Sequence, residues 1–168
     1  APETDFAHGL RQFGYLLIED PRQLPFNFFY TSNVSIDRLE MVRLDGFRED
    51  FPAAAWEDIE FAYRATKRGL SIRYQPLARV IHHHRIHPRT FCRRQRTSGR
   101  SAAIFAGLHP ELAGFLGVER ARTLPRGQRL RRALLALAVG LGERVPGVVP
   151  AQALQRFVDA SYLEGLAG

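Results

Sequence analysis

The chain has 168 residues, 45% of them hydrophobic, which is enough for one core of ordinary size and argues against several domains. A single cysteine, Cys92, excludes an internal disulfide and a cysteine-rich zinc site and points to a reducing, cytoplasmic setting. The formal charge of +7 is uneven, because residues 1–78 carry 12 acids against 9 Lys and Arg whereas residues 79–168 carry 5 against 15.

Residues 5–18 place Phe6, Leu10, Phe13, Leu17 and Ile18 at spacings near three and four, which predicts a short helix interrupted around Gly14. The chain opens at Ala1, without an initiating methionine, directly into this patterned stretch, so the expectation is a cut terminus rather than a natural start. PRQLP at 21–25 reads as a loop, and the aromatic, β-prone FNFFYTSNV at 26–34 as a buried strand. Ser35 is the expected N-cap of a helix over IDRLEMVRL that stops at Gly46.

After the loop REDFPAAA, a helix is predicted over 56–69. Trp56, Ile59 and Tyr63 share a face there, Glu60 can pair with Arg64, and Gly69 ends the run. The period then changes. SIRYQ at 71–75 and ARVIH at 78–82 alternate like short strands, with Pro76 between them. From Arg89 the chain reads helical through Gly107, and further helices are expected near 127–143 and 150–164.

Two clusters carry chemistry. Glu57 and Asp58 fall in the first turn of the 56–69 helix, where acids complement the positive end of the helix dipole. A carboxylate at the same place can also act as a general base toward a sugar hydroxyl within about 3 Å. Trp56 beside them suits either a core position or stacking on a sugar ring. The second cluster is HHHRIH, in which His82 and His84 would share one strand face and His83 and His87 complete the run. Imidazoles there can ligate a divalent metal or simply be solvated, and no HExxH or CxxC marks a self-contained zinc site.

Between Arg79 and Pro110 lie seven arginines and five histidines and no acid, a field suited to phosphates, nucleic acid or an anionic membrane face. QRLRRALLALAVGLG at 128–142 sets three arginines beside an apolar block, a pattern shared by membrane-interface helices and ordinary amphipathic core helices. Its apolar run, Ala133 to Leu141, is too short to span a bilayer.

The series FYTSNVSIDR, LDGFREDFP, WEDIEFAYR and GLSIRYQPLARVIHHH resembles the second half of bacterial family-2 glycosyltransferases of the GT-A fold. The pattern there is an aromatic strand with Asn and Ser, a Gly-Gly-Phe-Asp-Glu loop, a Glu-Asp helix and a strand ending in His. The resemblance covers residues 10–110, including RRQRTSGRSAAIFAGLHPEL, and its motifs are specific through their order.

The resemblance implies an α/β fold. Residues 1–110 would be the acceptor-side half of a GT-A domain with a few short strands, and residues 111–168 a helical C-terminal extension. It implies an inverting transfer of sugar from a nucleotide-sugar donor to a saccharide or lipid-linked acceptor, in cell-surface polysaccharide or glycolipid synthesis. Asp58 would be the general base, with Trp56 and Glu57 bordering the acceptor. His82 would join a divalent metal, Mg or Mn, and Arg96, with Arg93 and Arg100, would face the phosphates.

Localisation would be cytoplasmic, at the inner face of the membrane, with a peripheral membrane contact and no nucleic acid. Asp45 and Arg48 stand where the family loop has its first glycine and its aspartate. The family's nucleotide-binding strands and Asp-X-Asp metal motif are not found in the sequence, so the isolated chain is expected to be inactive. The rival readings are a nucleic-acid-binding module built on the basic tract, which would weaken steeply with salt, and a noncatalytic fragment that needs a missing N-terminal half.

Overall fold

The computed structural model describes residues 17–81, 88–123, 133–134, 137 and 151–168. Its contacts divide into two compact units, Phe13–His83 and a second made of Ala1–Gln12 with His84–Gly168. The division falls before the long helix that starts at Pro88, whereas the sequence reading places it after that helix.

In the first unit a 3-10 turn, Phe26–Phe28, occupies the start of the expected strand 26–34. Among the described residues the extended segments meet at one antiparallel bridge, Leu24 with Ile72, where Leu24 N donates to Ile72 O at 2.8 Å. Tyr74 N donates to Pro21 O at 2.7 Å on the same side. The β-prone composition of 26–34 and 71–82 is real, but a ladder needs a neighbouring strand in register, and here aromatic packing decides the local path instead.

Helix α1 is Arg38–Arg43. Its N-cap is Asp37 rather than Ser35, because the Asp37 carboxylate accepts from Leu39 N at 2.7 Å and Glu40 N at 3.2 Å. It ends in a Schellman turn, with Gly46 N donating to Met41 O at 3.0 Å and Asp45 N to Val42 O at 3.1 Å. Asp45 is left-handed there (φ 56°), a conformation that glycine adopts without the steric cost a Cβ brings.

Helix α2, Glu57–Lys67, closes in the same way. Leu70 N donates to Ala65 O at 3.1 Å, and Gly69 adopts φ 90°. Its inner face buries Ile59, Phe61, Ala62 and Ala65, and with them the carboxylate of Glu60. Arg64 satisfies that carboxylate through Nε at 2.9 and 3.0 Å, and donates from Nη1 to the carbonyl of Leu44 and from Nη2, at 2.7 Å, to that of Gly46. The expected Glu60–Arg64 pair therefore forms, but as an anchor that ties the end of α1 to α2 rather than as a surface pair.

Phe61, with no exposed surface, sits between Phe29 (5.7 Å between rings) and Phe47 (5.2 Å, edge-on). Burial of a side chain this size contributes about 1.5–3 kcal/mol. Leu24, Leu44 and Ile72 complete the core of this unit.

The second unit is helical among its described residues. It comprises α3 (Pro88–Leu108), a 3-10 turn at Pro110–Leu112, α4 (Ala113–Leu116), α5 (Val118–Arg122) and α6 (Ala151–Leu166). Helices α3 and α6 cross with their backbones almost touching. A Cβ placed on Gly99 would stand 2.0 Å from Tyr162 O, and one on Gly165 1.9 Å from Arg96 O. Phe91, Ala102 and Phe105 from α3 and Phe157, Val158 and Leu163 from α6 are buried around this crossing. The Tyr162 hydroxyl donates to Leu116 O at 3.0 Å, and burial pushes its phenol well above the usual range.

Of the helix expected near 127–143, only residues 133–134 and 137 are described. They are helical, with Leu134 60% and Leu137 71% exposed. The helix expected over 5–18 lies outside the described residues except for Leu17 and Ile18. No helix among the described residues is long and apolar enough to cross a membrane.

Candidate functional site

Asp58 stands in the first turn of α2, where the backbone N–H groups are not yet used by the helix. The residue before that turn, Trp56, is left-handed (φ 75°) and gives the helix no side-chain cap. A bulky aromatic in that region costs on the order of 1–3 kcal/mol, and such strain persists only where the surroundings over-determine it. The packing of Phe61 on Phe29 brings the segment after Phe29 up to this end of α2.

Thr31 then donates twice to Asp58 Oδ2, from its backbone N–H and from its hydroxyl, both at 3.2 Å. Asp58 Oδ1 accepts from Ile59 N at 2.9 Å. The carboxylate is half-buried, so it is fixed in place without being sealed in the interior.

Glu57, also half-buried, behaves differently. Its Oε2 is enclosed with no hydrogen-bond partner among the described residues. Burial pushes the Glu57 carboxyl above its ordinary range; the charge of Asp58 adds to the rise, and the backbone N–H groups of Glu57 and Ala55 oppose it. Two neighbouring carboxyl groups thus sit in unlike environments, one hydrogen-bonded and one desolvated.

Beside Thr31 the chain borders an open groove of about 760 Å³ between residues 28–36 and 70–80. Its polar lining includes Tyr30, Ser32, Asn33, Tyr74, Gln75 and Arg79. Asn33 Nδ2 donates to Ala78 O at 2.7 Å and ties the two walls together. In the sequence Thr31 and Asn33 stand only as members of the FYTSNVSIDR motif. Thr31 lies 27 residues from Asp58, and nothing in that spacing announces the contact.

His82, His83, His84 and His87 lie outside the described residues. Among the described residues no group of three or more His, Cys, Asp or Glu side chains could hold a metal ion. Arg96 belongs to the second unit and is ion-paired with Glu164 of α6. Arg93 and Arg100 project from exposed positions of α3 and have no ion-pair partner among the described residues.

Comparison with known proteins gives a glycosyltransferase as a relative. Over 118 residues the chain is 30% identical to the pre-mycofactocin glycosyltransferase of Mycobacterium tuberculosis, in strains CDC 1551 / Oshkosh and ATCC 25618 / H37Rv alike. The alignment takes in 66% of this chain, which spans only about a quarter (24%) of the length of those curated relatives. No protein-family model matches, and no solved structure matches.

Proposed function

We propose that the chain is the acceptor-side part of an inverting, family-2 type glycosyltransferase built on the GT-A plan, with Asp58 as its general base. What carries the reading is the state of Asp58: a half-buried carboxylate at a strained helix entrance, held from one side by Thr31, whose chain neighbours Tyr30 and Ser32 line an open groove. The likeness to a glycosyltransferase supports the reaction class.

In the reaction, Asp58 takes the proton of an acceptor hydroxyl as that oxygen bonds to the anomeric carbon of the donor. The bond from that carbon to the diphosphate breaks, and its electron pair leaves with the nucleoside diphosphate. Attack from the face opposite the leaving group inverts the anomeric centre. Trp56 and Glu57 border the acceptor in this reading. A divalent metal with His82 as one of its ligands belongs to the same reading, and it would neutralise charge on the departing diphosphate. A peripheral membrane contact through residues 128–142 belongs to the same reading and is supported by the exposure of Leu134 and Leu137.

The test uses the full-length gene product with a panel of uridine- and guanosine-diphosphate sugars and with methyl and octyl glycosides as acceptors. Asp58→Asn is expected to lower transfer by about 100-fold or more, the scale of general-base catalysis. Transfer retained within about threefold would remove Asp58 from the mechanism.

A further inference from the structure

We infer that Thr31 is the positioning residue of the base, and that its two hydrogen bonds select Oδ1 of Asp58 as the atom that receives the proton. This rests on the reading of Asp58 given above. An ionised carboxylate offers about four lone-pair sites, two on each oxygen. Thr31 N and Thr31 Oγ1 both donate to Oδ2, which fills that oxygen. Ile59 N takes one site on Oδ1. Among the described residues one lone pair is left, on Oδ1, and an incoming hydroxyl must use it.

The arrangement also fixes the side chain. A free Asp turns about its terminal torsion in a broad, roughly two-fold well. Donors on both oxygens, from Thr31 on one side and Ile59 of α2 on the other, hold it to a single orientation. Holding the base in the attack geometry lowers the barrier for the chemical step without strengthening donor binding, so the effect belongs in kcat. Thr31 is exposed, so its hydroxyl contributes no core packing that a substitution would remove.

Thr31→Val keeps the shape and the backbone N–H and deletes the hydroxyl bond, whereas Thr31→Ser restores the donor. In the full-length gene product with the same donor and acceptor panel, Thr31→Val is expected to lower kcat about tenfold, with donor KM within about twofold, and Thr31→Ser to recover kcat to within about threefold. A Thr31→Val enzyme with wild-type kcat, or a Thr31→Ser enzyme as slow as Thr31→Val, overturns the assignment. If Asp58→Asn is inactive while Thr31→Val is unaffected, the base stands and the positioning role falls. If Asp58→Asn is active, the base itself falls.

Amide hydrogen exchange on this chain gives a readout that needs no turnover. The Thr31 N–H is expected to exchange about tenfold faster in Asp58→Ala than in wild type. Unchanged Thr31 exchange means that the bond is not formed in solution, and the inference fails with it.

Discussion

Glu57 and Asp58 are adjacent acids whose surroundings set them different tasks. Asp58 has its oxygens in hydrogen bonds, while Glu57 Oε2 is enclosed without a partner and its carboxyl is raised, chiefly by burial. A raised folded-state value means that the folded protein holds this proton more tightly than the unfolded chain does. Glu57 therefore favours the fold at a pH low enough to keep it protonated in both states, and works against the fold as pH rises through its folded value. Glu57→Gln, which is neutral throughout, should be more stable than wild type at neutral pH and no more stable in acid. Urea midpoints across that range measure the difference. A Gln variant that trails wild type at neutral pH would mean that the charge is compensated in a way this geometry does not contain.

At the scale of elements, the crossing of α3 and α6 is set by two glycines rather than by large side chains. The atoms that a Cβ on Gly99 would meet are backbone, Tyr162 O at 2.0 Å and Leu166 N at 2.7 Å, so no flexible side chain can move aside and the helices must part. Gly99→Ala is expected to cost at least the about 1–3 kcal/mol typical of overpacking. Gly107 lies in the same helix with nothing within 4 Å of its Cβ position, so Gly107→Ala should be neutral or stabilising by up to about 1 kcal/mol. Thermal midpoints of the two variants that move together would show that helix propensity, and not the crossing, governs both.

The crossing also marks where sequence reading stops. The helices that became α1, α2, α3 and α6 were legible from periodicity and from stop signals such as Gly46 and Gly69, and Asp58 was legible as an acid in a first turn. Asp37 took the capping role from Ser35 because a carboxylate two residues later reaches both amides. The strand reading of 26–34 came from aromatic content, which a 3-10 turn around Phe26–Phe28 uses equally well. Thr31 on Asp58 and Arg64 on the carbonyls of Leu44 and Gly46 are contacts across 27, 20 and 18 residues, and local pattern carries no signal for them.

For the whole molecule the governing fact is the separation of charge, with the excess of arginine confined to residues 79–168. Leu134 and Leu137, three apart and so on one helix face, are 60% and 71% exposed. Arg129, Arg131 and Arg132 precede them in sequence, and apolar groups beside cations are what an anionic lipid surface attracts. The chain is therefore expected to co-sediment with vesicles containing phosphatidylglycerol and to stay in solution with vesicles of phosphatidylcholine alone. Replacing both Leu134 and Leu137 by Glu should abolish the first result, because it removes apolar contact and adds like charge to the anionic surface. High salt should weaken binding by the wild type without eliminating it, since screening touches the arginines and not the leucines. Binding lost entirely in salt and indifferent to the leucine changes would be pure charge attraction, and the same chain would then bind double-stranded DNA as readily as lipid.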